Sequence, residues 1–329
     1  MNQKSLAQRL YIQEVSVRDG FQIEPRFIPT PRKIELINAL SRTGLAKIEV
    51  TSFSSPKAIP ALADAEDVMR GIDRVSGVEY AALVPNVRGA ERALGCGVDE
   101  LNLVMSASET HNRANLRMTR EQSLAQFAEI VAVANGKAHV NISLSTAFGC
   151  PFDGEVLDLR VIRLVERYVE MGVSRVTLCD TTGMANPAQV RRLCVAVLRA
   201  WPQLVLTAHF HDTRGMGLAN ALAALEAGVV RFDASLGGLG GCPFAPGASG
   251  NVCTEDLVHM FKAMGLETGV ALDALLDLAR QMPEFVGHEV PGQVMKAGPW
   301  DRRYPRPDFL DSGAAQTRLA GIAPCGETR

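Results

Sequence analysis

The feature that most constrains this chain is a regular alternation of short apolar runs with amphipathic segments. Eight runs are rich in β-branched and other apolar residues, which is typical of parallel strands buried on both faces. They cover residues 11–19, 47–52, 79–85, 100–106, 139–146, 175–181, 205–212 and 231–238. Because these strands alternate with helical segments, the pattern predicts an α/β fold that closes into a (β/α)8 barrel.

The segments between the runs have the apolar spacing of helices, and the clearest cover residues 31–44, 119–136, 158–172 and 186–202. The first begins after Thr30 with Pro31, and the last begins at Asn186 with Pro187, which are typical helix starts. A doubly wound open sheet is the alternative fold. It is disfavoured because no G-x-G-x-x-G follows the first strand.

The sequence predicts one catalytic domain, residues 1–290, followed by a tail. After the eighth strand come a closing helix and an extra helix. Residues 291–329 are rich in proline, arginine and glycine, and we expect them to be irregular.

Composition excludes several classes of protein. The 329 residues are 47% hydrophobic with a formal net charge of −2, so we expect no nucleic-acid partner. No stretch approaches the roughly 18 apolar residues of a membrane helix, so no membrane association is expected. The first residues lack the apolar run of a signal peptide, and seven scattered cysteines fit reduced thiols. We therefore expect a cytoplasmic enzyme.

Polar side chains recur where the predicted strands end. Active sites of such barrels gather at the carboxyl ends of the strands. Polar groups in apolar runs are costly to bury unless they are paired, metal-bound or solvated. The candidates on these grounds are Arg18, Asp19, Glu49, Ser106, Asp180, Thr181, His209 and His211.

The sharpest motif is H-x-H on the seventh strand. His209 and His211 are two residues apart and so lie on one face of the strand. The pattern favours a metal site over two hydrogen-bonded core histidines. With oxygen ligands from Asp19, Asn251 and water, it favours Mg²⁺ or Mn²⁺, with zinc or cobalt as substitutes.

Arg18 and Asp19 are neighbours, so they face opposite sides unless the strand bends. Gly20 is consistent with such a bend. One interpretation places Asp19 on the metal and Arg18 over a developing oxyanion. The alternative is a surface ion pair. Glu49 is either a supporting acceptor at the site or simply the ion-pair partner of Arg18.

The eighth strand runs into a glycine-rich stretch, "LGGLGGCPFAPGASGN", residues 236–251. It has no lysine for a phosphate-binding loop, and Cys253 is poorly spaced for a zinc knuckle. What remains is a plain flexible loop or a lid that carries the Cys242 thiol over the barrel mouth as an acid or base. We favour the lid.

Several motifs together resemble one family. They are "VRDGFQ" (17–22), "LCDTTGMANP" (178–187), "AHFHDTRGMGLAN" (208–220) and the glycine stretch. The chain is similar over about residues 11–286 to 3-hydroxy-3-methylglutaryl-CoA lyases, which are DRE-TIM metallolyases of TIM-barrel fold. Isopropylmalate and homocitrate synthases also have an H-x-H strand and a first strand that ends in Arg-Asp. The segment "GGLGGCP" is typical of the lyases and separates them from these synthases.

The resemblance implies retro-Claisen cleavage of a 3-hydroxyacyl-CoA with Mg²⁺ or Mn²⁺, most directly 3-hydroxy-3-methylglutaryl-CoA to acetyl-CoA and acetoacetate. It also implies a homodimer. It assigns the metal to Asp19, His209, His211 and Asn251, and catalysis to Arg18 at the enolate and Cys242 as the thiol, supported by Asp180 and Glu49. Substrate contacts are expected from Gln22, Ser106 and Thr181. The acceptor of the hydroxyl proton stays open between His209, Asp19 and Cys242.

Two positions depart from the family pattern. Ile23 stands where the family has asparagine, and Asn141 where it often has arginine. Polar contacts dominate the discrimination of polar substrates, so citramalyl-CoA or a longer branched 3-hydroxyglutaryl-CoA remains an alternative substrate. A Claisen-condensing synthase and a catalytically silent ligand-binding barrel are the alternative functions.

Overall fold

A computed structural model describes residues 9–241 and 250–307. Its eight strands are all parallel, and β1 pairs with β8 to close the barrel. The strands are β1 (Tyr11–Glu14), β2 (Lys47–Ser52), β3 (Glu79–Leu83), β4 (Glu100–Ser106), β5 (His139–Ser145), β6 (Arg175–Asp180), β7 (Val205–Phe210) and β8 (Arg231–Ala234). The predicted (β/α)8 barrel is confirmed.

Helices cover the outside of the barrel and follow the strands in order. They are α1 (Thr30–Ser41), α2 (Ala65–Gly71), α3 (Val87–Gly95), α4 (Glu109–Leu116), α5 (Arg120–Ala134), α6 (Asp158–Glu170), α7 (Pro187–Ala200), α8 (Gly217–Glu226), α9 (Thr254–Ala263), α10 (Leu272–Ala279), α11 (Met282–Val286) and α12 (Val294–Ala297). Local capping fixes several starts. Thr119 and Gln122 form a reciprocal capping box before α5, and Asn186 caps α7.

The first strand is shorter than the sequence predicts. It ends at Glu14, and Ser16–Gly20 form a single π-helical turn. The π-helical bonds run from the Gly20 N–H to the Val15 carbonyl (3.4 Å) and from the Phe21 N–H to the Ser16 carbonyl, and the Val15 carbonyl also accepts from Asp19 (2.7 Å). The prediction of a strand through residue 19 was therefore wrong, whereas the bend before Gly20 is present. The turn brings both charged side chains to the same end of the barrel.

The chain divides into two compact units, Met1–Ala297 and Gly298–Arg329. The first contains the barrel and the extra helices α10, α11 and α12, so a short helix lies beyond residue 290, where we expected an irregular tail to begin. In the second unit, the described residues 298–307 contain no helix or strand. No helix in the described ranges combines the length and apolar character needed to cross a membrane.

The amino-terminal ends of the strands hold a set of paired charges, which we call the lower ion network. Lys47 and Glu100 are buried in it, and Glu79 and Arg175 are half-buried. Lys47 Nζ lies 2.6 Å from Glu100 Oε1, and Arg175 Nη1 lies 2.8 Å from Glu100 Oε2. Arg175 also donates to both carboxylate oxygens of Glu79. Each carboxylate oxygen in the network thus accepts a hydrogen bond, and the network ties β2, β3, β4 and β6 together.

Candidate active site at the barrel mouth

Three potential metal ligands meet at the mouth, the carboxyl-terminal end of the barrel. The ligand atoms of Asp19, His209 and His211 lie within 4.8 Å of one another, and all three residues are buried. We call this group the mouth triad. His209 lies in β7, and His211 follows just beyond it, where it forms an isolated antiparallel bridge with Asn251. The two-residue spacing predicted from H-x-H is the geometry that directs both imidazoles to one place.

The carboxylate of Asp19 is held on both oxygens. Its Oδ1 accepts from Arg18 Nη1 at 2.7 Å and from Gln22 Nε2 at 2.9 Å. Its Oδ2 accepts from Asn251 Nδ2 at 2.7 Å. Gln22 and Asn251, both expected at the site, therefore contact the mouth triad through Asp19.

Arg18 is a buried residue held between two carboxylates. Besides Asp19, it donates from Nε to Glu49 Oε2 at 2.6 Å. Glu49 is 3% exposed and lies where the pairing of β2 with β3 shifts register. Irregularities of this kind often redirect a side chain next to an active site. The alternative of an exposed surface ion pair is excluded, because Arg18 and Asp19 are each 7% exposed.

Asp233 belongs to the site, and the sequence analysis missed it. Its Oδ2 lies 3.2 Å from Nδ1 of His209, its register partner across the β7–β8 pair. A carboxylate on one ring nitrogen fixes the tautomer and aims the other nitrogen at a metal. The available signal was its position in "RFDAS", an acidic residue inside a barrel strand.

The charges at the mouth shift one another's pKa values. Burial alone raises the pKa of Asp19, but Arg18 and the two histidines overcome this and hold it below its ordinary value. Burial lowers the pKa of His209, yet its bond to Asp233 leaves it raised overall. Burial and the neighbouring His209 lower the pKa of His211 to about 4, so His211 is a neutral imidazole near pH 7. Neutral imidazole is the form that binds metals.

The residues of the mouth fit a divalent cation. Two imidazoles and one carboxylate form a mixed nitrogen and oxygen donor set. Nδ1 of His211 is buried and has no hydrogen-bond partner among the described residues. A buried polar atom without a partner is costly, and a metal or a substrate group is the kind of partner that removes that cost.

Asp180 ends β6 close to these groups, and its pKa is raised to about 6, mainly by burial. Its Oδ1 accepts from the backbone N–H groups of Met184 (2.7 Å) and Ala185 (3.1 Å). Its Oδ2 is buried and has no partner in the described part of the chain. Asp180 therefore shapes the turn after β6 and still presents one unpaired oxygen.

Ser106 and Thr181 are engaged away from the mouth triad. Ser106 is fully buried, and its hydroxyl lies 2.8 Å from Nδ1 of His111. Thr181 Oγ1 accepts from the backbone N–H of Thr146 at 3.0 Å. Thr146 has φ of +54°, which is strained for a β-branched residue. In the described structure, no hydrogen bond joins Ser106 or Thr181 to the mouth triad.

The predicted thiol, Cys242, lies outside the described residues, but both described ends of the glycine stretch lie at the mouth. Leu239 accepts a hydrogen bond from Asn251 Nδ2 at 2.9 Å through its carbonyl oxygen. A Cβ added at Gly240 would lie 2.5 Å from Asn251 Nδ2 and 2.9 Å from Asp19 Oδ2. Only glycine allows the backbone to approach Asp19 this closely.

The fold and the site first define a class: a (β/α)8 barrel enzyme whose polar groups converge at the carboxyl ends of its strands. The comparison with protein families is more specific, because the model of the HMGL-like family matches residues 9–282. The chain belongs to this family of hydroxymethylglutaryl-CoA lyases, which are divalent-metal-dependent DRE-TIM enzymes. It is a carbon–carbon lyase.

Individual relatives agree with the family match. The chain is 50% identical over 292 residues to hydroxymethylglutaryl-CoA lyase YngG of Bacillus subtilis, covering 88% of this chain and 97% of the relative. It is 40% identical over 299 residues to (R)-citramalyl-CoA lyase of Chloroflexus aurantiacus. That match covers 88% of this chain and 94% of the relative. A solved HMG-CoA lyase of Acinetobacter baumannii, in complex with coenzyme A and 3-methylmalate, superimposes with a TM-score of 0.88 at 54% identity, covering 91% of this chain and 98% of that one.

Proposed function

We propose that this protein cleaves a 3-hydroxyacyl-CoA by a metal-dependent retro-Claisen reaction, with 3-hydroxy-3-methylglutaryl-CoA as the first candidate substrate. The products would be acetyl-CoA and acetoacetate. The observation that carries the proposal is the mouth triad of Asp19, His209 and His211 with Arg18 beside it. The names of the similar lyases support the choice of an acyl-CoA substrate.

The metal in this proposal is Mg²⁺ or Mn²⁺, held by Asp19, His209 and His211, with Asn251 as a further ligand. Asp233 supports this arrangement because it occupies Nδ1 of His209 and leaves Nε2 for the metal. Such a metal, when bound, lowers the pKa of a coordinated substrate hydroxyl and orients that group.

The remaining chemistry is assigned to side chains. The hydroxyl at C3 loses its proton and becomes the ketone of acetoacetate, while the bond between C2 and C3 breaks. The electron pair of that bond moves to the thioester as an enolate, and we assign its stabilisation to the Arg18 guanidinium. Cys242 is proposed to donate the proton that converts the enolate to acetyl-CoA. His209, Asp19 and Cys242 remain the candidate acceptors of the hydroxyl proton.

Glu49 and Asp180 are assigned supporting roles in this scheme. Glu49 holds Arg18 by hydrogen bonds, and Asp180 orders the turn after β6. Gln22 is assigned a substrate contact in addition to its bond with Asp19. For Ser106 and Thr181, the proposed substrate contact would use the hydroxyl capacity left over from their bonds with His111 and with the Thr146 backbone.

Related thioesters form the second candidate group of substrates, namely citramalyl-CoA and longer branched 3-hydroxyglutaryl-CoA derivatives. Ile23 favours this group. It is 43% exposed in the short turn Phe21–Ile23 that follows Gly20, at the position where the family has a polar asparagine. The similarity to (R)-citramalyl-CoA lyase also supports it.

A panel of these thioesters, assayed for acetyl-CoA release with Mg²⁺ and with Mn²⁺, tests the proposal. We expect one thioester to be cleaved, and we expect both EDTA and Cys242→Ser to abolish its cleavage. Cleavage that persists under both changes would contradict the mechanism. Consumption of acetyl-CoA with a 2-keto acid would instead identify a condensing synthase. Binding of CoA esters without turnover would identify a silent barrel.

We also propose a homodimer and a reducing, cytoplasmic setting. The exposed apolar side chains of Leu157 and Leu159 support an interface near the start of α6. Five cysteines in the described ranges carry free thiols, which supports a reducing compartment. Light scattering that reports a monomer at micromolar concentration would contradict the dimer. Fewer than seven titratable thiols in the denatured chain would contradict the reduced state.

We propose further that residues 1–290 carry the catalytic activity and that residues 291–329 are a tail outside the chemistry. The end of the family match at residue 282 supports this division. Limited proteolysis of the full chain tests it. Loss of the lyase rate in step with cleavage of the tail would contradict the proposal.

A further inference from the structure

Four polar side chains cross the barrel interior below the mouth, on neighbouring strands β4, β5 and β6. We call them the polar layer: Asn102, Asn141, Ser143 and Thr177. Each is at most 7% exposed. Asn102 Oδ1 accepts from Asn141 Nδ2 at 3.0 Å and from Ser143 Oγ at 2.8 Å. Asn141 Nδ2 also lies 3.0 Å from Thr177 Oγ1.

The polar layer ends on a charged residue of the site. Nδ2 of Asn102 donates to Glu49 Oε1 at 2.7 Å. The other oxygen, Glu49 Oε2, accepts from Arg18 at 2.6 Å. The hydrogen bonds therefore run without a break from Asn102 through Glu49 to Arg18, and from there to Asp19.

The orientation of the Asn102 amide is determined by its neighbours. Two donors, from Asn141 and Ser143, meet its oxygen, so only its nitrogen can face Glu49. A flipped amide would place oxygen against a carboxylate and nitrogen against two donors. The polar layer thus presents one fixed N–H group to the Glu49 carboxylate.

Branched apolar side chains usually fill the interior of such barrels. Burying a polar group costs free energy unless its hydrogen-bond partners are in place. A polar layer inside the barrel is therefore unfavourable compared with apolar side chains, unless its geometry serves the site. Without the Asn102 donor, Glu49 Oε1 would be a buried carboxylate oxygen with one partner fewer. The carboxylate would then be free to turn, and Arg18 would turn with it.

We infer that Asn102 is a positioning residue: it fixes the carboxylate of Glu49 and thereby the direction of the Arg18 guanidinium. The part of this inference that concerns turnover rests on the proposed lyase function. The structural part, the orientation of Glu49, does not depend on which reaction the protein catalyses.

Two variants of Asn102 test the inference. Asn102→Asp keeps the acceptor for Asn141 and Ser143 but replaces the donor to Glu49. Asn102→Ser is too short to reach Glu49 and adds no charge. The matched controls are Asn38→Asp and Asn38→Ser. Asn38 lies in the outer helix α1 and likewise donates from Nδ2 to a carboxylate, with Asp73 Oδ2 at 3.2 Å.

We expect kcat for the best thioester to fall by about tenfold or more in both Asn102 variants, with KM changed less than about threefold. The Asn38 variants should keep the wild-type kcat per folded molecule, with the folded fraction measured by circular dichroism. A purely structural role for Asn102 would lower the folded fraction and leave kcat unchanged, which would overturn the inference.

A crystal structure of Asn102→Ser gives a readout that does not need activity. We expect the Glu49 carboxylate to rotate away from its bond with Arg18. An unmoved carboxylate would overturn the inference even if kcat fell. A wild-type protein that cleaves none of the thioesters would defeat the proposed function, and the crystal structure would still decide whether Asn102 positions Glu49.

Discussion

The two ends of the barrel both bury charged side chains, but they satisfy them differently. In the lower ion network, each oxygen of Glu79 and Glu100 accepts a hydrogen bond from Lys47 or Arg175. At the mouth, buried polar atoms lack partners among the described residues. These atoms are His211 Nδ1, Asp180 Oδ2 and Asp233 Oδ1.

This difference separates charge that serves stability from charge that serves chemistry. A network whose carboxylate oxygens are all paired is typical of a stabilising role, and removing one member leaves a buried charge without its partner. An open cluster retains unpaired groups and shifted pKa values, which is typical of functional sites. Burial and charge alone therefore do not identify the active site. Unpaired buried atoms that lie together with a cluster of potential metal ligands, as at the mouth, identify the stronger candidate.

The largest effect should come from Asp19→Asn. The change removes the negative charge from the mouth triad and keeps the shape of the side chain. We expect turnover to fall by on the order of 1000-fold, because in the proposed site Asp19 would bind the metal and its carboxylate also pairs with Arg18. Steady-state kinetics with Mg²⁺ measures the loss. Turnover within about tenfold of wild type would show that the mouth triad is not the reacting centre.

Glu100→Gln is the corresponding change in the lower ion network. It removes the negative charge that Lys47 and Arg175 share and replaces one acceptor oxygen with an amide donor. We expect the free energy of unfolding to fall by about 3–5 kcal/mol, measured by urea titration, while kcat of the folded protein is retained. A stability loss below about 1 kcal/mol, or a loss of kcat comparable to that of Asp19→Asn, would erase the distinction between the two ends.

Gly240→Ala tests the close approach of the glycine stretch to the mouth. The added Cβ would lie 2.9 Å from Asp19 Oδ2, at a residue with φ of +102°. We expect kcat to fall by on the order of tenfold or more, because displacements of about 1 Å at a reacting centre are costly.

Gly136→Ala is the control for this change. Its φ is also positive, at +73°, but no described atom lies within 4 Å of its added Cβ. Both variants should lose about 1 kcal/mol of stability from backbone strain, and Gly240→Ala should lose more because its Cβ would also lie 2.5 Å from Asn251 Nδ2; urea titration measures both losses. Equal kcat values for the two variants would show that Gly240 is needed only for its backbone conformation.

The prediction spread over the widest range of conditions concerns Glu255, a fully buried residue under the glycine stretch. It accepts from the Gly237 N–H at 3.0 Å, and its other oxygen has no described partner. Burial raises its pKa from 4.5 to about 8. Between these values the folded state holds a proton that the unfolded chain releases. Stability should therefore fall with rising pH, by at most about 1.4 kcal/mol per unit.

Urea titrations at several pH values across this window measure the slope, and Glu255→Gln is the matched variant. The variant cannot ionise at this position, so its slope should be shallower than that of wild type. If the unfolding free energies of wild type and Glu255→Gln depended equally on pH, the pH dependence would belong to groups other than Glu255.

Much of this architecture was predictable from the sequence. The alternation of apolar runs with helical segments predicted eight strands. The H-x-H spacing predicted that the side chains of His209 and His211 lie on the same face of β7. Both are local patterns that the backbone geometry of a strand enforces. Gly20 indicated a bend at Arg18 and Asp19, but the sequence did not predict that the bend is a π-helical turn. Such a turn has no sequence signature comparable to that of a capped helix.

The supporting residues were not predictable in the same way. Asp233 contacts His209 because β7 and β8 pair in one particular register. Asn102 contacts Glu49, 53 residues away along the chain, only because the barrel closes. Tertiary contacts of this kind depend on strand register and shear, which a single sequence does not encode in any local pattern.

The most direct test of the difference between the two ends is calorimetric titration of the purified protein with Mn²⁺, using wild type, Asp19→Asn and Glu100→Gln. We predict that wild type and Glu100→Gln bind Mn²⁺ at one site per chain with similar affinity, and that Asp19→Asn loses this site. Unchanged binding in Asp19→Asn, or loss of the site in Glu100→Gln, would contradict a metal centre at the mouth.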